Sequence, residues 1–376
     1  MSERHRLPRF VRWSLALALA HPASPGKDPA RRRACIYKVD RIGDFVLATG
    51  AIRTLIEHFG AEEVRLIVSD TAAPFARLEF PGLDCWTAPA NATGVWRGLR
   101  PLRNELAPTW GREQFEIGVN LRHAASLYRD LSLTWIRARR WYAIGAFPRI
   151  GRVALNHRPA PSRSYPVTTL PTSRPWCREL LAHRAVLSSI LRREPSWDEI
   201  RPQLTSAQPK SGSHILLCPF GSDPIRDYPA EAWAAALSQS IPVGRMVTVL
   251  GQPDRSQALQ DLGNRLRGQN ISVEILTNSS PTEFLRLIAT ARLVCTVESA
   301  AAHIATALDK PAVILVGGGH FGWFAPWGQS SRQHWLHEPL DCYDCEWQCR
   351  RATVDCMGQL ASNRVAAAVK NALADA

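Results

Sequence analysis

Twice along this chain a short apolar run breaks into a polar turn, and apolar residues then recur at helical spacing. The first of these units begins with Cys35, Ile36, Tyr37 and Val39, which predict a buried strand. The strand breaks at Ile42-Gly43, and Phe45, Ala48, Ile52, Leu55, Ile56 and Phe59 follow as one helical stripe, stopped by Gly60. The heptapeptide Lys38-Val39-Asp40-Arg41-Ile42-Gly43-Asp44 thus joins a strand to a helix that starts at Asp44. In open α/β sheets, ligands bind at this carboxyl edge. Asp44 has two readings there: an N-cap for the helix, or a carboxylate offered to a ligand.

The alternation continues. Residues 64–68 and 115–121 predict further strands, with helical patterns between them. Residues 156–175 collect Pro159, Pro161, Pro166, Pro171 and Pro175 among serine, threonine and arginine, a linker composition. A connecting helix near 176–193 and a second proline- and serine-containing stretch, 202–213, follow. From His214 the rhythm restarts, with strands at 214–219, 246–251, 273–276, 292–297 and 312–316. Pro229 opens one intervening helix at its first turn, and Ser280-Pro281-Thr282-Glu283 is a capping box for another. Repeated βα units predict parallel sheets. The expected organisation is a basic tail at 1–33, a Rossmann-like domain at 34–175, a linker at 176–212 and a second Rossmann-like domain at 213–376. A length of 376 residues accommodates two domains.

Charge is unevenly spread. The chain carries a net +13, of which residues 1–33 contribute +6 and residues 91–165 contribute +9, leaving the remainder near neutral. Only five lysines occur, so the basic character is arginine-borne. A basic tail and one basic segment suit an anionic partner met by one face. An anionic membrane surface or phosphorylated glycolipid fits this asymmetry. Nucleic acid does not, since no aromatic RNA-binding signature, zinc-finger spacing or helix-turn-helix is visible. Residues 10–20 are apolar but too short to span a bilayer, which needs about 20 residues. They read as a signal-peptide-like, interface-lying or unstructured segment.

Three polar turns follow predicted strand ends in the second half: Gly221-Ser222-Asp223, Glu298-Ser299-Ala300 and Gly317-Gly318-Gly319-His320. Ends of parallel strands share one rim, and helix N-termini there offer N–H groups to an anion. Gly221, Ser222 and Ser299 would supply close backbone approach and donors, and Arg226 a full charge, so the pattern suits a nucleoside diphosphate. His303, five residues after Glu298, reads either as a core histidine or as part of that site. No Gly-x-Gly-x-x-Gly follows either half's first strand, which argues against a nicotinamide dehydrogenase.

These motifs in this order resemble glycosyltransferase family 9, the lipopolysaccharide heptosyltransferases. The resemblance lies in Asp40-Arg41-Ile42-Gly43-Asp44, in Pro219-Phe220-Gly221-Ser222 through Arg226, Tyr228 and Pro229, in Glu298 through Ala305, and in Pro311 with Gly317–Gly319 and Pro326-Trp327-Gly328. It implies a GT-B fold, two Rossmann-like parallel-sheet domains facing a cleft, acceptor on the first domain and nucleotide sugar on the second. It implies Asp44 as general base in an inverting transfer of heptose from ADP-heptose to a lipopolysaccharide core acceptor. Arg226, Gly221, Ser222, Glu298, Ser299, Ala300, His303, Gly317, Gly318 and Gly319 would hold the donor, and no cofactor would be required. Arg41, Arg97, Arg103 and Arg122, with Arg129, become candidates for acceptor phosphates. The setting implied is cytoplasmic, peripheral on the inner membrane face. Two departures stand out: Arg226 replaces the family's usual lysine, and Glu298-Ser299-Ala300 replaces aspartate–serine–glycine. The rival reading is a non-catalytic nucleotide-sugar-binding relative that scaffolds envelope assembly; another is a transferase using a different sugar.

Of nine cysteines, Cys35, Cys218 and Cys295 lie in apolar strand-like runs and read as buried thiols. Cys342, Cys345, Cys349 and Cys356 crowd together and are compatible with structural zinc, disulfide pairing or free thiols.

Overall fold

The computed structural model describes residues 30–90, 100–122, 131–143, 155–157, 177–209, 212–328 and 331–375. Residues 1–29, with the apolar 10–20 segment, and Arg97, Arg129 and the proline-rich 158–175 lie outside the described residues. The chain divides into two compact units, one comprising residues 1–41, 51–162 and 182–200, the other residues 42–50, 163–181 and 201–376.

The first sheet has six parallel strands: β1 (Ala30–Lys38), β2 (Val64–Ser69), β3 (Cys85–Ala88), β4 (Glu113–Asn120), β5 (Arg137–Ala143) and β6 (Leu155–His157). Their order is β3-β2-β1-β4-β5-β6. A parallel sheet is covered on both faces, so its inner strands are apolar throughout. Residues 34–37 of β1 and all of β2 are accordingly buried. β1 starts five residues earlier than the apolar pattern, which begins at Cys35. Its arginines are held by acids of neighbouring elements: Arg32 pairs with Asp84 at 2.7 Å and Glu113 at 3.4 Å. Trp110, Trp135, Trp141, Phe115 and Tyr37 fill one core of this unit.

The helix after β1 spans Ile42–Phe59, and its N-cap residue, Arg41, makes no side-chain capping bond. Asp44 is therefore not the N-cap; it stands in the helix's first turn, where the N–H groups and dipole favour an anion. The first turn forms over Ile42-Gly43 because Ile42 is compatible with helix and nothing in the backbone forces a break there.

The second sheet repeats the design with β7 (Ile215–Cys218), β8 (Met246–Leu250), β9 (Ser272–Leu276), β10 (Leu293–Val297), β11 (Ala312–Leu315) and β12 (Gln333–Leu336), ordered β12-β11-β10-β7-β8-β9. All pairings are parallel. Counted within its half, this is the doubly wound order of the first sheet. Strand order reverses between β1 and β4 in one sheet and between β7 and β10 in the other, and such switch points open a crevice at the strand ends. Trp233, Leu237, Val247, Leu262, Val365 and Val369 belong to one buried cluster that packs this sheet with its helices. Tyr228 is buried against Trp233, ring centroids 5.3 Å apart, and its hydroxyl donates to the Leu360 carbonyl at 2.8 Å. Pro229 sits at the N-cap, one residue before the helix Ala230–Ser240.

The capping box forms at its leading residue: Ser280 Oγ accepts from the Glu283 N–H at 3.2 Å, and Pro281 opens the helix Pro281–Thr290. Ser280→Ala should lower unfolding free energy by about 1 kcal/mol and Ser280→Gly by only a few tenths. Equilibrium denaturation of the two variants checks this order.

Candidate active site

The switch point of the second sheet is set by β7 and β10, and the turns that follow these strands carry Gly221-Ser222 and Glu298-Ser299. The two strand ends are tied by side chains: Thr296 Oγ1 donates to the Cys218 carbonyl at 2.9 Å and lies 3.1 Å from Ser299 Oγ. Ser299 is the N-cap residue of the helix Ala300–Ala307, with its hydroxyl turned to Thr296 rather than capping.

The loop after β7 is braced throughout. Asp223 accepts from the Ile225 N–H at 3.2 Å and starts the 3₁₀ turn Pro224–Arg226. Asp227 pairs with Arg255, whose guanidinium stacks 4.6 Å from the Phe220 ring centre. Asp227 also accepts the Gly221 N–H at 3.2 Å. That N–H is consequently engaged within the protein and is not held open for a phosphate. What glycine permits here is passage of Arg226, whose Cβ would lie 3.3 Å from a Cβ at position 221. Arg226 itself forms no ion pair among the described residues, and its Nε is buried without a hydrogen-bond partner.

Glu298 and His303 share this environment. Glu298 is 4% exposed, and burial pushes its carboxyl up to about 7; Arg226 pulls it down and Asp44 pushes it further up. Its Oε2 has no hydrogen-bond partner. His303 is buried, and burial, then the Arg226 charge, hold its imidazole down at about 4, so it is neutral. Its Nδ1 accepts from Trp327 Nε1 at 3.0 Å, which places the ring proton on Nε2. The first turn of the Ile42–Phe59 helix belongs to this unit. A Cβ on Gly43 would fall 2.9 Å from His303 Cδ2 and 3.5 Å from Ala300 Cα. Glycine is required for that approach, which brings the turn carrying Asp44 to the helix that follows Glu298.

Other expected positions lie elsewhere. A Cβ on Gly317 or Gly319 would lie 2.3 Å from the Trp347 ring, and one on Gly318 would lie 2.5 Å from Tyr343. The three glycines are filled by aromatic rings of the cysteine-bearing segment, not opened to a phosphate. Arg122 is wholly buried, its Nε 3.7 Å from Asp40 and its guanidinium over Tyr37, so it is not presented to an acceptor at the surface. Buried Lys38 lies 3.4 Å from the same Asp40 and donates to the Leu121 carbonyl at 2.9 Å. Arg41 is exposed at the N-cap, and Arg103 is half-buried on the helix Arg100–Trp110.

The four late cysteines are electrostatic neighbours, but none forms a disulfide. Among the described residues, no group of three or more His, Cys, Asp or Glu side chains could hold a metal ion. Cys356 is buried at the start of the helix Asp355–Gly358 and Cys349 is exposed in the preceding loop; all four stand as free thiols, without the ligand grouping the zinc reading needs among the described residues. Trp347, Tyr343 and the Asp227–Arg255 pair escape sequence reasoning. A run of three glycines signals large neighbours as readily as a phosphate, and two large aromatics stand in the adjacent cysteine segment.

Residues 192–351 match the family model for glycosyltransferase family 9 (heptosyltransferase). Over that stretch the chain is similar to the family 9 heptosyltransferases. Its fold is similar to that of a family 9 glycosyl transferase from Veillonella parvula, with a TM-score of 0.66 at 14% identity over 93% of this chain and 100% of that one. It is also similar to the E. coli heptosyltransferase WaaC with ADP-2-deoxy-2-fluoro heptose, at TM-score 0.60 and 15% identity, covering 90% of this chain and 99% of that one. E. coli ADP-heptose lipopolysaccharide heptosyltransferase II gives 0.58 at 14% identity, with 91% and 99% covered. These likenesses establish the two-sheet GT-B fold. No curated protein matches the chain in sequence.

Glu298 holds its proton more tightly when folded, so its contribution to stability is full below the ordinary carboxylate range and is lost as pH rises towards 7. Glu298→Gln should remove this loss and stabilise the protein at pH 8 relative to pH 5 by on the order of 3 kcal/mol compared with the parent. Denaturant titrations at the two pH values measure it; parallel pH dependence in both proteins would contradict the buried, proton-hungry carboxyl.

Proposed function

We propose that this glycosyltransferase moves a heptose from ADP-heptose to a phosphorylated lipopolysaccharide core acceptor, with inversion and with Asp44 as general base. The observation that carries the reading is the meeting of Asp44, Arg226 and Glu298 beside the β7–β10 switch point, where a buried guanidinium Nε and a carboxyl oxygen have no protein partner. An anionic, hydroxyl-rich ligand satisfies both. Two similar structures, E. coli WaaC with ADP and WaaC with ADP-2-deoxy-2-fluoro heptose, support ADP-heptose as donor.

In the proposed step, the Asp44 carboxylate takes the proton of the acceptor hydroxyl as its oxygen attacks the anomeric carbon. The new C–O bond forms opposite the breaking bond to the diphosphate, and ADP departs with that electron pair. Arg226 offsets the charge that grows on the departing phosphate, and a guanidinium can grip it through two N–H groups. Neutral His303 fixes, through Trp327, the helix that begins after Ser299. Work at the cytoplasmic membrane face is supported by the +6 and +9 segments; among the described residues no helix is long and apolar enough to cross a membrane.

Asp44→Asn should reduce turnover about 10²–10⁴-fold with little change in ADP affinity. Arg226→Ala should instead weaken ADP binding, and Arg226→Lys should restore part of it. Nucleotide release from ADP-heptose with a delipidated core acceptor, alongside calorimetry with ADP, separates the two effects. Unchanged turnover in Asp44→Asn would remove the carboxylate from the reaction.

A further inference from the structure

We propose that Trp347, supplied by the cysteine-bearing segment, is a positioning residue that holds the Arg226 guanidinium for a diphosphate. The inference rests on reading Arg226 as the cation of the donor site. The guanidinium carbon lies 5.4 Å from the Trp347 ring centre, a cation–π contact. Among the described residues no carboxylate lies within ion-pair distance of Arg226, although Glu298 feels its charge, and the ring is the group stacked on the guanidinium. Stacking occupies the face of a guanidinium and leaves the N–H groups at its edge to meet an anion. A carboxylate partner would take those same groups.

The ring is itself fixed on three sides. It lies against the backbone of Gly317 and Gly319, where no Cβ could fit. Its Nε1 donates to His320 Nδ1 at 3.2 Å, and the two rings meet edge to face at 86°. The segment is pinned along the glycine loop: the Asp344 N–H donates to the Gly318 carbonyl at 2.8 Å and the Glu346 N–H to the Gly319 carbonyl at 3.0 Å. The Asp344 carboxylate in turn accepts from Arg178 Nη1 at 3.0 Å and Trp323 Nε1 at 2.5 Å. Asp344, Glu346 and Trp347 all have positive φ, of 64°, 52° and 61°. A tryptophan in this region is disfavoured and persists where its surroundings dictate it. The loop thus spends backbone strain on presenting one ring to one arginine. Pre-orienting a flexible cation reduces what it loses on binding.

The test uses the full chain with W347F, W347L, W347A, R226A and the W347L/R226A double variant. ADP affinity is measured by calorimetry, and the rate at which phenylglyoxal labels Arg226 without nucleotide is read by peptide mass spectrometry. W347L, which keeps bulk but no π face, should weaken ADP binding about tenfold, near 1.4 kcal/mol, while W347F stays within about twofold. In the R226A background W347L should add nothing, and Arg226 labelling should quicken in W347L but not in W347F. ADP binding by the parent with additive losses, or with equal labelling in W347L and W347F, overturns the role of Trp347 and leaves the donor reading standing. Absence of ADP binding by the parent overturns both. W347F and W347L carry the decision if W347A does not fold.

Discussion

The site depends on one guanidinium whose charge acts on a buried carboxyl group and a buried histidine. Burial alone would drive Glu298 further towards its neutral form, and Arg226 is the group that opposes this. The same charge helps keep His303 neutral, so that its ring accepts from Trp327 instead of carrying a proton on both nitrogens. Asp44 adds the second negative charge from a different helix. An anion drawn to Arg226 would cancel part of its pull, so ligand and proton occupancy at Glu298 are linked through a single side chain.

Sheet topology explains why these residues can meet. Gly221, Arg226, Glu298 and Ser299 are widely separated in sequence, yet β7 and β10 are neighbours and their ends share a crevice. In the first sheet the equivalent neighbours are β1 and β4, and buried Lys38, Asp40 and Arg122 gather at their ends. There two cations share one carboxylate inside the unit. The two switch points share a geometry but spend it differently.

Much of this was legible from pattern. β2, β7, β8, β10 and β11 are continuous apolar runs because parallel strands are covered on both faces, and the capping serine at position 280 declares its helix. β5 and β12 were not, since Arg137–Ala143 and Gln333–Leu336 interleave polar residues that local pattern reads as loop. The helix start was misplaced by two residues because Arg41 caps without a side-chain bond. In the site, residue types that carry charge were visible, and their partners were not. Nothing near Gly221 announces that Asp227 will take its N–H, and nothing near Gly317 announces Trp347, thirty residues on. Those facts belong to tertiary contact.

The left-handed backbone at Trp347 also constrains how this segment can change over time. The substitution that would relax it most directly is glycine, which recovers on the order of 1–3 kcal/mol of strain in such a conformation. Glycine is also the residue that deletes the ring. Selection for a more comfortable loop and selection for a well-held arginine therefore pull position 347 in opposite directions, and a lineage that keeps tryptophan there is one in which binding outweighs backbone ease.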